Sequence, residues 1–186
     1  MGLQTFHRGI RDIKIAAWNG VGSYGTAMDV LGAREMSVEF VMETDELRGD
    51  DVVLDRFSKL VSANFRLSNA AVDLSLLDVL MGGTLVSNAN YEDFMITQND
   101  EVPFVAVAGR VVGSGGNGDL QFFAPKCKIA GNLQYSAQLD QYLIPQVQMQ
   151  AVYEGPSTTH GIVRLRNFTA ATALEIPLRT STGGLS

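Results

Sequence analysis

The sequence predicts a mainly β protein, an antiparallel β-sandwich or barrel with one flanking α-helix. Apolar and polar residues alternate over several segments, as they do in half-buried strands. One segment in the middle of the chain instead repeats its apolar residues at helical spacing. Clusters of glycine, asparagine, proline and aspartate separate the segments, and helices do not alternate with strands as parallel βαβ units require.

The composition indicates one folded domain over residues 1 to 186. The chain is 46% hydrophobic and 18% charged, which is typical of folded proteins with a sizeable core. Its net charge of -6 provides no basic field to hold nucleic acid. No apolar stretch has the length of a membrane span and the amino terminus lacks the pattern of a signal peptide, so we expect synthesis in the cytoplasm.

The first long element is a predicted hairpin over residues 36 to 68. From Met36 onward apolar residues occupy one side of an extended chain, and Glu39, Glu43 and Asp45 occupy the other. The segment "ELRGDD" lies at the tip of the hairpin, where glycine and aspartate favour a turn.

The second strand of the hairpin changes phase along its length. From Phe57 to Leu67 the apolar residues are odd-numbered, and we place Phe57 on the same side as Ala63. Nearer the tip the apolar residues are even-numbered, which predicts a bulge near Asp55 and Arg56.

A short helix follows over about residues 74 to 82. Apolar residues recur at helical spacing in "DLSLLDVLMGG", and Ser75 and Asp78 have the spacing of a capping box. Gly82 and Gly83 end the helix.

Further strands are predicted at "YEDFMITQ", "FVAVAGRVV", "LQFFAPKCKIAG", "LIPQVQMQAVYEG" and "GIVRLRNF". In the fourth of these, Gln146, Gln148 and Gln150 alternate with apolar residues, so one side of the strand carries uncharged amides. The last residues, about 169 to 186, are small and mostly uncharged, and we expect a carboxyl-terminal arm there.

No segment predicts a catalytic, cofactor or metal site. Gly113 to Gly118 matches G-x-G-x-x-G, but aromatic residues and a proline follow instead of the helix that a dinucleotide site needs, so we interpret it as a hairpin loop. The carboxylates from Asp45 to Asp55 have the spacing of neither a glycosidase pair nor a calcium loop. Cys127 is the single cysteine, and His7 and His160 have no neighbouring nucleophile. We expect a protein that is not an enzyme and holds no cofactor.

Several of these features occur together in one known family. They are the Gly49-Asp50 pair at the hairpin tip, the strand, turn, helix and double glycine of "SANFRLSNAAVDLSLLDVLMGG", and "WNGVGSYGT" before the hairpin. From Met36 to Gly83 the chain resembles the major tail tube proteins of long-tailed, siphovirus-like bacteriophages. Beyond Gly83 the agreement is one of size and strand-rich character.

The resemblance implies a single tail-tube domain that assembles as stacked hexameric rings into a hollow tube. It also implies tape-measure, tail terminator and baseplate or tip proteins as partners, and a location in the virion tail. Double-stranded DNA would pass through the bore during ejection without specific binding. Carboxylates repel phosphates and uncharged amides offer no ionic hold, so an acidic or amide-bearing bore suits that role.

Two groups of residues follow as candidate sites. The candidates for the bore are Glu39, Glu43, Asp45, Gln146, Gln148 and Gln150. The candidates for contacts between stacked rings are Arg48, Gly49, Asp50 and Asp51.

Two other interpretations stay open at this point. The same tube fold occurs in the inner tubes of contractile tails and of type VI secretion systems. Alternatively, the chain is a monomeric β-sandwich that binds a cell-surface ligand through Arg48, Gly49 and Asp50.

Overall fold

A computed structural model describes residues 7–49, 52–69, 73–113, 118–131, 146–155 and 161–178. The described residues form eleven strands and one helix, which confirms the predicted mainly β class with an antiparallel sheet. The strands are β1 (His7–Gly20), β2 (Ser23–Tyr24), β3 (Met28–Asp29), β4 (Ala33–Gly49), β5 (Val52–Asn69), β6 (Thr84–Ser87), β7 (Glu92–Met95), β8 (Val105–Gly113), β9 (Asp119–Ile129), β10 (Gln146–Ala151) and β11 (Arg164–Asn167). The helix, α1, spans Leu74–Met81.

One antiparallel sheet contains nine of these strands. Its main order is β2, β1, β8, β9, β10, β5, β4, while β3 pairs with β1 and β11 pairs with β9. The remaining strands, β6 and β7, pair with each other and with no other described strand. β1 and β4 are far apart in the strand order and nevertheless contact each other. The sheet is therefore strongly curved, with a concave and a convex side.

The main core fills the concave side of the curled sheet. Phe65 of β5 is wholly buried and stacks on Phe122 of β9 with ring centroids 6.1 Å apart. Leu76 and Leu80 of α1 pack into the same core. Full burial of a side chain of this size stabilises the fold by about 2 kcal/mol.

Strand alternation decides which residues enter this core. In β10, Val147 and Met149 are buried, whereas Gln146 and Gln148 are exposed, as the sequence predicts. The register between β8 and β9 shifts between Val107 and Val105. At this shift, the residues of β9 that enter the main core change from even-numbered to odd-numbered positions.

A second, smaller core lies on the convex side of β8 and β9, under the chain from residue 168 to residue 178. Leu174 and Leu178 are 2% exposed and pack on Phe123. This segment includes residues 169 to 178 of the predicted carboxyl-terminal arm, and they lie on the body of the protein. Residues 179 to 186 lie outside the described residues.

Two buried polar side chains attach that segment to the sheet. Asp119 is fully buried, and its Oδ2 accepts from the Nε of Arg110 and from the backbone N–H of Thr172, both at 2.8 Å. Gln121 donates through Nε2 to the Thr172 carbonyl at 2.8 Å. A buried charge is tolerated when it is paired and hydrogen-bonded in this way, and removal of one partner is costly.

The helix is capped by a residue that precedes the predicted capping box. Asp73 is the N-cap, and its side chain accepts from the backbone N–H groups of Ser75 and Leu76. The predicted pair of Ser75 and Asp78 lies inside the helix instead. Gly82 ends the helix in the left-handed conformation, with φ of 71°, as the double glycine predicts.

The predicted hairpin is formed by β4 and β5, which pair from Ala33 to Gly49 and from Val52 to Asn69. Its tip residues Asp50 and Asp51 lie outside the described residues. One irregularity leaves Leu54 without a partner, next to the predicted bulge at Asp55 and Arg56.

A second irregularity in the hairpin was not predicted. It leaves Val61 without a partner between the pairs Val41 with Ser62 and Met42 with Leu60. Because one extra residue reverses the alternation, Phe57 lies on the face opposite Ala63, and its predicted side was wrong.

We predict that Gly118→Ala destabilises the fold more than Gly9→Ala does. Both glycines have φ above +70°, and alanine in that conformation costs about 1 kcal/mol. A Cβ on Gly118 would also lie 1.7 Å from the Phe168 carbonyl oxygen, whereas nothing lies within 4 Å at Gly9. Overpacking adds about 2 kcal/mol for Gly118→Ala. Urea unfolding at low protein concentration measures both losses, and equal losses would contradict the prediction.

Candidate functional site

The structure brings two distant segments of the chain onto one polar face of the sheet. In β5, Asn64 pairs with Glu39 of β4 on one side and with Gln150 of β10 on the other. Because directly paired residues point to the same side of a sheet, these three side chains form one row. We call this convex surface of β4, β5 and β10, with the end of β9, the polar face.

Two more rows lie beside the first. Gln148 pairs with Arg66, which pairs with Ser37, and Gln146 pairs with Ser68, which pairs with Glu35. A shallow groove of about 180 Å³ runs between these side chains. The four candidate bore residues in the three rows are therefore neighbours, namely Glu39, Gln146, Gln148 and Gln150.

The other two candidate bore residues lie farther along the hairpin. Glu43 pairs with Lys59 and Asp45 pairs with Phe57, both beyond the last pair between β10 and β5 at Ala151 and Ala63. They share the face of Glu39 but not the neighbourhood of the glutamines.

The polar face carries basic side chains that sequence reasoning did not assign to it. Lys59 and Arg66 come from β5, and Lys126 and Lys128 come from the end of β9, where Lys128 pairs with Gln150. The face is therefore mixed in charge rather than purely acidic. The partners of each strand had to be known before these cations could be placed, and a single sequence does not supply them.

Aromatic rings fix the lysines at one margin of the polar face. The Nζ of Lys126 lies 4.4 Å from the ring centroids of both Trp18 and Phe104, and the Nζ of Lys128 lies 5.2 Å from that of Phe104. Trp18 and Phe104 pack edge to face with centroids 5.7 Å apart. Such contacts favour a cation over the ring face.

A buried carboxylate, that of Glu154, also holds Trp18 in place at this margin. Oε1 of Glu154 accepts from the Trp18 indole at 3.1 Å, from the Gly22 N–H at 2.9 Å and from the Tyr24 hydroxyl at 2.8 Å. Burial, and then the hydrogen bond to Glu154, raise the pKa of Tyr24 above its ordinary value. Tyr24 therefore keeps the proton that it donates to Glu154.

Beyond Phe40 and Ala63 the hairpin leaves the body as a two-stranded ribbon. We call this ribbon, Met42–Gly49 with Val52–Val61, the arm; its eight-residue strand extends about 26 Å. Large apolar side chains are exposed on both of its faces, with Met42 66% exposed, Phe57 65% and Leu47 63%. An isolated two-stranded hairpin is at best marginally stable in water, so the arm lacks a core of its own.

Near its tip the arm carries an ion-pair cluster. Glu46 accepts from the guanidinium of Arg48 at 2.9 Å and from the Nε of Arg56 at 2.9 Å. Hydrogen bonds from Arg48, and then from Arg56, lower the pKa of the Glu46 carboxyl. Arg48 is thus paired within the arm, and its side chain remains 71% exposed. Gly49 pairs through its backbone with Val52.

An apolar cleft of about 410 Å³ opens where the arm leaves the body. Phe40 and Met36 of β4 form one wall, and Ile10 of β1 and Leu165 of β11 belong to the other. Phe40 is 46% exposed and Leu165 59% exposed, so the cleft is open to solvent.

Among the described residues, no three or more histidine, cysteine, aspartate or glutamate side chains form a group that could hold a metal ion. Burial raises the pKa of the Cys127 thiol, which leaves it protonated. A strand, β9, follows Gly113 to Gly118 where a dinucleotide site needs a helix. His160 and the side chain of His7 lie outside what the structure describes. No helix of the described residues is long and apolar enough to cross a bilayer.

Comparisons with known proteins give little further guidance. No protein-family model and no curated protein matches the sequence. Among solved structures, the chain is similar to the anti-feeding prophage cap, described as the tube terminating cap, with a TM-score of 0.48 and 11% identity. The match covers 90% of this chain and 95% of the cap chain. At that level of similarity, function has to be argued from the residues of this chain.

We predict that Arg48→Gln raises the pKa of Glu46 toward its ordinary value, because the largest of the interactions that lower it is lost. Carboxyl-carbon NMR titration measures the change, and Arg34→Gln, on the same strand but away from the cluster, serves as the control. Because the pKa is lowered in the folded chain, the ion pairing contributes fully to folding stability above the ordinary carboxyl pKa. This contribution is lost as the pH falls through the lowered pKa. An unchanged Glu46 titration in Arg48→Gln would contradict the prediction.

Proposed function

We propose that this chain is a structural subunit of a phage tail tube, which self-assembles into stacked rings with the polar face toward the bore. The observation that carries the proposal is the arm, whose exposed apolar side chains have no partner surface within the described residues. A soluble monomer rarely exposes a long apolar ribbon without an interaction role, and exposed strand edges invite pairing with another chain.

The polar face supports the second half of the proposal. Its central rows contain Gln146, Gln148 and Asn64, which carry no charge, together with the cationic Arg66, and its charged residues are of both signs. DNA binding depends mainly on cationic groups that neutralise phosphates, so such a surface has little net electrostatic attraction for DNA. A surface of this kind suits a conduit through which double-stranded DNA passes into the host cell.

The finer features of the proposal follow the resemblance described above. We propose hexameric rings in a siphovirus-like tail, with tape-measure, terminator and baseplate proteins as partners. The ring contacts would include Arg48, Gly49, Asp50 and Asp51 at the arm tip. No catalytic role is part of the proposal.

We predict that the arm is needed for assembly and not for folding. The variant Met42→Thr, Leu47→Thr, Phe57→Thr keeps residues with good strand propensity and changes only exposed side chains. Each such surface change alters stability by about 0.5 kcal/mol or less. We expect an unfolding transition close to that of the wild type and loss of rings and tubes, measured by sedimentation velocity and negative-stain electron microscopy.

The matched control is Val86→Thr, Tyr91→Thr, Met95→Thr. These three side chains are 54% to 61% exposed and belong to the separate region of β6 and β7. If this control assembles as the wild type does, loss of exposed apolar area alone does not explain the failure of the arm variant to assemble. Wild-type assembly by the arm variant would contradict the role of the arm.

We predict that assemblies of the wild type do not retain DNA, whereas those of Gln146→Lys, Gln148→Lys do. The substitutions place two additional cations per chain at the centre of the polar face. Each new phosphate contact strengthens DNA binding electrostatically, and this contribution decreases as the salt concentration rises. Filter retention of a short labelled duplex at low and high salt measures the difference. Val86→Lys, Tyr91→Lys adds the same charge elsewhere, and equal retention by this control would contradict the bore assignment.

A further inference from the structure

Carboxylates are concentrated along one margin of the polar face. Four exposed carboxylates, Glu35, Glu39, Glu43 and Asp45, lie on the same side of β4, the last strand of the sheet. None of the four forms an ion pair with another described residue. Lys59, directly opposite Glu43, and Arg66 of the same strand offset part of this charge, whereas the residue directly opposite Glu39 is the uncharged Asn64. We call this column of carboxylates the acidic margin.

The opposite margin of the polar face is basic. Lys126 and Lys128 lie at the end of β9, over the rings of Trp18 and Phe104. The last pair between β9 and β8 is Cys127 with Val105, so among the described strands β9 has no neighbour on that side at Lys128. Neither lysine forms an ion pair with a described carboxylate. We call these two residues the basic margin.

The two margins cannot meet within one chain. β5 and β10 separate β4 from β9, and three strand spacings amount to about 14 Å. Ion pairs at protein surfaces require an approach of about 4 Å. A second copy placed beside the first, in contrast, brings the acidic margin of one chain to the basic margin of the next.

We infer that the acidic margin of one copy binds the basic margin of its neighbour, side by side within a ring. The inference rests on the proposed self-assembly and names the contact that orients neighbouring copies. Complementary charges on two different surfaces set the direction of the contact, because two acidic or two basic margins repel each other. The central glutamines of successive polar faces then follow one another around the ring.

A charge-swap experiment on the full chain tests the contact. Glu39→Lys and Lys128→Glu come from the same row of the sheet, and both residues are exposed. Each variant alone places like charges at every contact, and we expect the concentration at half assembly to rise about tenfold, less so at high salt. Sedimentation and electron microscopy measure assembly, and thermal unfolding confirms that both variants fold.

The decisive sample is the equal mixture of the two variants. When the variants alternate, the lysine introduced by Glu39→Lys faces the glutamate introduced by Lys128→Glu at one contact. The following contact is the native pair of Glu39 with Lys128, so opposite charges meet throughout. We expect the mixture to assemble near the wild-type concentration although neither variant does so alone. Glu92→Lys, an exposed change on β7, is the control and should assemble as the wild type.

The outcomes separate the contact from the proposed function. Assembly of either single variant at the wild-type concentration, or a mixture no better than its components, would overturn the contact and leave the proposed tube intact. A wild type that stays monomeric at its solubility limit would overturn both.

Discussion

The register of β5 against its two neighbours is the constraint on which the rest of the structure depends. With Ala63 and Phe65 in the core, Asn64 between them must point outward, and the pairing then aligns Glu39 and Gln150 across Asn64. A slip of one residue would exchange the two faces and expose Phe65. Burial of the aromatic side chain therefore fixes the polar face as firmly as it fixes the core.

Local patterns predicted the hairpin, the end of the helix at Gly82 and the amide side of β10, because each depends on residues close in sequence. The extra residue at Val61 was not predictable in the same way, since a bulge depends on the partner strand as well as on the strand itself. The basic margin was missed for a related reason. Lys128 joins the polar face only because β9 pairs with β10, which no periodicity within either strand reveals.

Among the described residues, the chain covers one half of its convex surface and leaves the other half bare. Asp119 and Gln121 hold Thr172 over β8 and β9, and Leu174 and Leu178 seal that half against water. The polar face, in contrast, has no described segment over it. The covering segment is attached by buried hydrogen bonds rather than by apolar contacts alone, so its position is specified and the bare half keeps a defined boundary.

The arm projects from one side of the body and has no symmetric counterpart on the other among the described residues. An assembly built through such an arm joins two unlike surfaces, so every added copy presents the same unsatisfied surface that it covered. Growth of that kind has no internal end point. In the proposed tube, the chain would therefore set the diameter and the polarity, whereas the length would be decided by another molecule that covers the last exposed surface.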